Sequence, residues 1–248
     1  MSSQDSPRFR ALRSLLHPYT LGMALAVILT AAPAFCQQQN VTRYDAFLGY
    51  TYFSSPSIAL VEKGVHLQLG VRPRTWYSVG FDYSRAGSDL VLTPSLLPPA
   101  LQEGLSGQLT QLAALGRLPA GYVLKIPAHS VTQTMTVGPQ LAYRHFKAVT
   151  LFVRPSFGAM REVATPHTQD PIATAIALQL APSGKKLDWA GFYGFGGGAD
   201  LLVSKHIAFR MQADLVYDHL FSDILQNGRR TLRLSIGPCF NFGKNIEE

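Results

Sequence analysis

The stretch IAFRMQADLVYD, residues 207–218, decides the fold. Ile207, Phe209, Met211, Ala213, Leu215 and Tyr217 alternate with Ala208, Arg210, Gln212, Asp214, Val216 and Asp218. A period of two puts these sets on opposite faces of one β-strand. One face is wide and apolar and ends in an aromatic ring. The other is narrower and carries isolated charges. A soluble sandwich or lipocalin-like barrel also alternates, but it turns its large apolar residues inward. Small and charged residues on one face, with large apolar ones on the other, favour a strand whose outer face meets lipid.

The same pattern recurs on both sides of this segment. In GVHLQLGVR (64–72), Val65, Leu67, Leu69 and Val71 oppose His66, Gln68, Gly70 and Arg72. In YSVGFDYS (77–84), Tyr77, Val79, Phe81 and Tyr83 oppose Ser78, Gly80, Asp82 and Ser84. Near the end, Leu232, Leu234, Ile236, Pro238, Phe240 and Phe242 oppose Arg233, Ser235, Gly237, Cys239 and Asn241. With four weaker segments, eight strands are expected, at about 43–53, 64–72, 76–85, 131–144, 149–160, 189–203, 206–218 and 230–242. Their lengths suit tilted strands crossing a bilayer. Connections at Pro73–Thr75, His145–Lys147 and Ser204–Lys205 are tight, whereas Ser54–Lys63, Ala86–Ser130, Arg161–Asp188 and His219–Arg229 are longer. Tight turns at one end and long loops at the other make an all-β, eight-stranded antiparallel transmembrane β-barrel with both termini on the periplasmic side. Tyr44, Tyr77, Tyr143 and Phe242 fall near the tight-turn end, and Tyr52, Tyr83, Tyr193 and Tyr217 near the long-loop end, as two interfacial aromatic levels would. Pro139, Pro155 and Pro238 fall inside strands, where a bulge is expected to absorb the lost donors, and Gly194, Gly196, Gly197 and Gly198 imply a bulge or a close backbone approach in strand six.

Composition agrees. Charged residues make up 15% of the 248, well below the ordinary quarter, while 47% are hydrophobic and 10% aromatic. The net charge of +7 is scattered in no basic run and accompanies no recognition motif, so nucleic acid is not an expected partner. Residues 1–36 read as a signal peptide: Arg8, Arg10 and Arg13 precede an apolar stretch from Leu21 to Phe35, with Ala31, Ala32 and Ala34 near a cleavage point after Cys36. A lipoprotein modified at Cys36 is the alternative, disfavoured by bulky Phe35. Residues 37–248 form the barrel domain. They hold one cysteine, Cys239, hence no internal disulfide and no cysteine spacing for a metal.

From Arg43 to Phe242 the pattern resembles the OmpA-like family of small eight-stranded outer-membrane barrels, by architecture rather than by a unique motif. The resemblance implies a cell outer-membrane location in a Gram-negative-type bacterium and insertion by the barrel-assembly machinery. Phe240 and Phe242 look like the aromatic signature this machinery reads, although Gly243–Glu248 follow them. The peptidoglycan-binding domain of longer members is not expected beyond the barrel.

Eight strands enclose a space that side chains can fill. The inward set is Asp45, His66, Arg72, Asp82, Arg144, Arg154, Asp200, Arg210, Asp214, Asp218 and Arg233. Counted from the turns, Asp45, Arg154, Asp200 and Arg210 share the lower half, and Asp82, Asp214 and Arg233 sit higher. Buried charges need partners, so a structural network plugging the lumen is expected, with a narrow gated ion path as the alternative. His66 and Ser84 can be offered for an enzyme, but no third group orients them by sequence logic, so no catalytic residue, metal or cofactor is expected.

The second long loop carries Pro98 and Pro99 ahead of Leu101, Leu105, Leu109, Leu112 and Leu115 at helical spacing. This apolar stripe needs a cover. The apolar stretch Ile172–Leu180 of the third loop can supply it; otherwise it offers an adhesion or ligand surface to lipid or an extracellular partner. The functional expectation is a non-enzymatic outer-membrane barrel with a structural or surface-interaction role. A narrow channel or transporter of small or apolar solutes comes second, and a lipid-modifying enzyme third.

Overall fold

The computed structural model describes residues 38, 40–225 and 229–246; the expected signal peptide with Cys36 lies outside the described residues. Eight strands form one closed antiparallel barrel in sequence order, β1 closing on β8. They are β1 (Thr42–Ser55), β2 (Leu60–Val71), β3 (Tyr77–Leu92), β4 (Ile126–Tyr143), β5 (Val149–Pro166), β6 (Lys186–Leu202), β7 (Ile207–Asp218) and β8 (Arg229–Asn245). Closure leaves no strand edge unpaired over the shared height, the requirement for backbone placed in lipid.

All eight expected strands form, and several run further at the long-loop end. β3 continues to Leu92, β4 begins at Ile126 and β5 continues to Pro166. The first outer loop, expected over Ser54–Lys63, shrinks to a 3-10 turn, Pro56–Ile58, because β1 and β2 stay paired up to Ser55 and Leu60. The expected bulges at the in-strand prolines are absent. Pro139 lies opposite Pro155 in the β4–β5 register, and the ladder pauses between the Val137↔Phe157 and Leu141↔Val153 pairs without a shift. Pairing proline with proline places both missing donors at one gap. The glycines of β6 are a close approach: a Cβ on Gly196 would sit 1.9 Å from Asp214 Oδ1, and one on Gly198 2.7 Å from Phe152 Cζ.

Burial alternates strictly along β7 and, less regularly, along the other strands. The outer face exposes Leu48, Leu67, Leu69, Phe81, Val137, Val153, Phe195, Leu215 and Ile236. Tyr44 stacks on Phe242 near the tight turns with ring centroids 5.7 Å apart, and Tyr193 meets Tyr217 at 5.6 Å toward the long loops. Among the described residues two α-helices stand in the outer loops. α1 (Pro99–Ala114) begins with proline in its first turn, and α2 (Pro171–Leu180) is capped by the Asp170 carboxylate, which accepts from Ile172 N.

Candidate functional site

The lumen is filled in layers. The lower layer centres on Arg210, brought inward by the alternation of β7. Its Nε donates to Asp200 Oδ1 at 2.7 Å, and its Nη2 donates to Asp200 Oδ2 at 2.8 Å and Asp45 Oδ2 at 3.1 Å. Nη1 donates to Gln68 Oε1 at 3.0 Å. The rings of Phe152 and Phe47 flank the guanidinium at 5.0 and 5.8 Å. Two carboxylates, an amide and two aromatic faces thus occupy this one cation, the geometry a buried arginine needs. Arg72 adds a second pairing to Asp45 at 3.4 Å.

The upper layer holds Arg233, which grips Asp214 through Nε at 2.9 Å and Nη2 at 2.7 Å and reaches Asp82 at 3.4 Å. Arg154 belongs here: its Nη2 lies 2.6 Å from Asp82 Oδ2. Counting residues from the turns had placed Arg154 in the lower half. Strand stagger in a closed barrel shifts heights between neighbours, and a long side chain adds its own reach. The Nε and Nη1 of Arg154, with the hydroxyls of Thr136 and Ser156, have no hydrogen-bond partner among the described residues. The upper layer is therefore less completely satisfied than the lower.

His66 also lies in the upper layer. Its Nδ1 is 2.9 Å from Ser235 Oγ and its Nε2 is 3.6 Å from Asp82 Oδ2. Ser84, the other group weighed for catalysis, is not its partner and bonds Thr134 instead. Ser235, His66 and Asp82 follow the order of a hydrolase triad, but their exposures are 3%, 0% and 0%, so the hydroxyl is enclosed by the plug. Two inward carboxylates escaped the sequence reading. Glu62 accepts from Ser130 and Thr132, and Glu162 accepts from Ser130 at 2.8 Å. Both lie past the expected ends of their strands. Extending the alternation of β2 and β5 by one turn of the pattern would have found them.

Above these layers the interior becomes apolar. Met160, Phe192, Val216, Leu220 and Phe221 cluster beneath the mouth. Over them Leu97, Leu105, Leu124, Ile126, Ala173, Ile176 and Ala177 join α1, α2 and the top of β4 in one core, with Leu101 and Leu109 against it. The two loop segments do cover each other. The expected stripe is only partly used: Leu112 is half-buried and Leu115 stays 69% exposed, because the chain turns away at the end of α1. Tyr122 of the second loop donates to the Asp170 carboxylate at the start of α2, and Lys186 pairs with Asp223 in the fourth loop. Burial and the bond to Asp170 push the Tyr122 hydroxyl up to about 12. The same bond holds the Asp170 carboxyl below its ordinary value. Under this cap lies an apolar cavity of about 80 Å³, lined among others by Leu90, Leu92, Ile126, Ala164, Leu180 and Phe221. Among the described residues no cluster of side chains could hold a metal ion.

No protein-family model and no curated protein matches this sequence. Among solved structures the fold is similar to Ail, the attachment invasion locus protein of Yersinia pestis, in complex with the heparin analogue sucrose octasulfate. Identity there is 12%, coverage is 82% of this chain and 99% of that one, and the TM-score is 0.46. It is similar to Neisserial surface protein A at 10% identity, covering 80% and 96%, with a TM-score of 0.47. The outer membrane protein OprG from Pseudomonas aeruginosa aligns at 9% identity over 85% and 100%, with a TM-score of 0.46.

Proposed function

We propose that this chain is a non-enzymatic barrel of the bacterial outer membrane that does not conduct and acts through its outer surface and loops. The observation that carries the reading is the inverted interior: charges are buried and paired inside the wall while large apolar side chains cover its outside. Such an exterior is stable only against lipid. The two ion-pair layers occupy the lumen in series, which leaves the loops and the rim as the surfaces free to act. The exported N-terminus and the barrel-assembly route belong to the same reading.

A second reading has its own observation. The apolar cavity beneath α2 suits a small uncharged apolar solute, taken up at the mouth rather than passed through the charged layers below. Fractionation of cells making the full chain tests the primary reading. The protein should sediment with outer membranes, migrate differently on a detergent gel before and after boiling, and lose the 93–125 loop to protease added outside intact cells. Recovery in the soluble fraction with no heat-dependent migration would sink it.

A further inference from the structure

The outer face changes abruptly at the long-loop end of its apolar band. On β2, β3, β5 and β8 the first outward charged side chain met at this margin is a cation: Lys63 after Val65, Arg85 after Tyr83, Arg161 after Ala159 and Arg230 before Leu232. On none of the eight strands is it an acid. The nearest outward carboxylate, Asp89, stands further out and is occupied by His129 at 2.8 Å. None of the four cations forms an ion pair among the described residues.

Two of the four, Lys63 and Arg85, lie on the neighbouring strands β2 and β3, and the register brings Arg85 and Arg161 into one cross-strand row. Arg85 faces Gln133, Gln133 faces Arg161, and Arg161 faces Trp189. Arg161 is fixed within that row. Its Nη1 donates to Gln133 Oε1 at 3.1 Å and its guanidinium lies 5.8 Å from the Trp189 ring centre. An arginine stacked and bonded on one side has little freedom left to lose when it binds an anion on the other. One row nearer the periplasm the same strands present Tyr83, Met135, Ala159 and Gly191. The two small residues leave a low stretch of outer wall beside Met135, bounded toward the periplasm by exposed Phe157 and Tyr193 of the next row.

Cations at the margin of an apolar band, directly above a low stretch of that band, match one kind of molecule. We infer that Lys63, Arg85, Arg161 and Arg230 form a collar that binds the headgroup phosphates of an anionic outer-leaflet lipid, with Arg161 as its fixed point and an acyl chain lying over the small residues Ala159 and Gly191 beside Met135. The inference rests on the outer-membrane reading above. The collar would order the lipid around the barrel and anchor its height in the leaflet.

The test uses the full chain in phosphatidylcholine vesicles containing about one-tenth bisphosphorylated lipid A, or the same lipid with its phosphates removed. Lipid retained on the extracted protein is counted by native mass spectrometry. The phosphorylated form should be retained at least about tenfold more than the dephosphorylated one, and each cation replaced by glutamine should lower retention about fivefold. Trp189→Leu should weaken it about two- to threefold through loss of the stacked Arg161. The combined K63Q/R85Q/R161Q/R230Q variant should still show heat-dependent migration while losing the preference for phosphate. Equal retention of both lipids, or an unchanged preference in the combined variant, overturns the collar. Displacement of the lipid by about 10 mM inorganic phosphate overturns it as a lipid site. Failure of the unaltered chain to enter vesicles defeats the outer-membrane reading instead.

Discussion

Two halves of the same wall follow opposite rules. From the tight turns to the collar, the strands keep apolar residues outside and polar or charged ones inside. From the collar upward, β3 and β4 change: Leu90, Leu92, Ile126 and Ala128 point inward, while Arg85, Asp89 and His129 join Val91 on the outside. One strand with one unbroken period changes which face is apolar. The period belongs to the backbone, whereas the polarity of each face reports its surroundings. The reversal therefore marks where lipid gives way to water, and it does so independently of the aromatic levels.

The largest way to break this comparison is to remove the charge at the centre of the lower half. Arg210→Met leaves Asp45 and Asp200 buried without their shared cation, and should cost about 3–5 kcal/mol in denaturant unfolding of the inserted barrel. A smaller loss of about 2–4 kcal/mol is expected for Val137→Arg, which points a charge from the middle of the apolar band. Val91→Arg sharpens the contrast. Its exposure of 50% nearly equals the 53% of Val137, yet above the reversal it should change stability by less than about 0.5 kcal/mol. Equal costs at the two sites would mean that the same medium surrounds both halves.

Leu105→Ala acts on the cap alone. It should loosen α1 by about 2 kcal/mol and speed protease cleavage in the 93–125 loop, with the barrel's own unfolding unchanged. The smallest effect belongs to Tyr122→Phe, which should raise cleavage of the same loop about two- to fivefold near neutral pH. Asp170 is held below its ordinary value, so its share of the contact is present above the carboxylate range and fades as pH falls through that lowered value. Tyr122 is raised, so its share is present below about 10 and is lost as pH climbs through about 12. Cleavage of the unaltered chain should thus rise at both extremes, and the variant should lose that dependence.

The transmembrane half was legible in sequence because lipid and lumen impose opposite chemistries on alternate residues. Asp45, His66, Asp82, Asp200, Arg210, Asp214 and Arg233 were all placed inward by that rule and are buried. Their partners were less legible. Arg154 was paired with the wrong height, and Ser235 was not seen as the neighbour of His66, since both depend on strand stagger and closure rather than on spacing along one strand. The projecting half was missed for the reason that makes it informative. Beyond Arg85 and Arg161 the apolar face changes side, so a reader following large outward residues ends the strand there. Glu62 and Glu162 were lost with it. In α1 the leucine spacing gave the helix but not its neighbours, and Leu115 extends the stripe past the surface that α2 covers.

A barrel plugged by two ion-pair layers should be electrically silent. The most direct test is single-protein recording of the unaltered chain in a planar bilayer, with insertion confirmed by its heat-dependent migration. The account predicts a flat baseline across the ordinary range of applied voltage. Discrete, reproducible conductance steps from the inserted chain would contradict it.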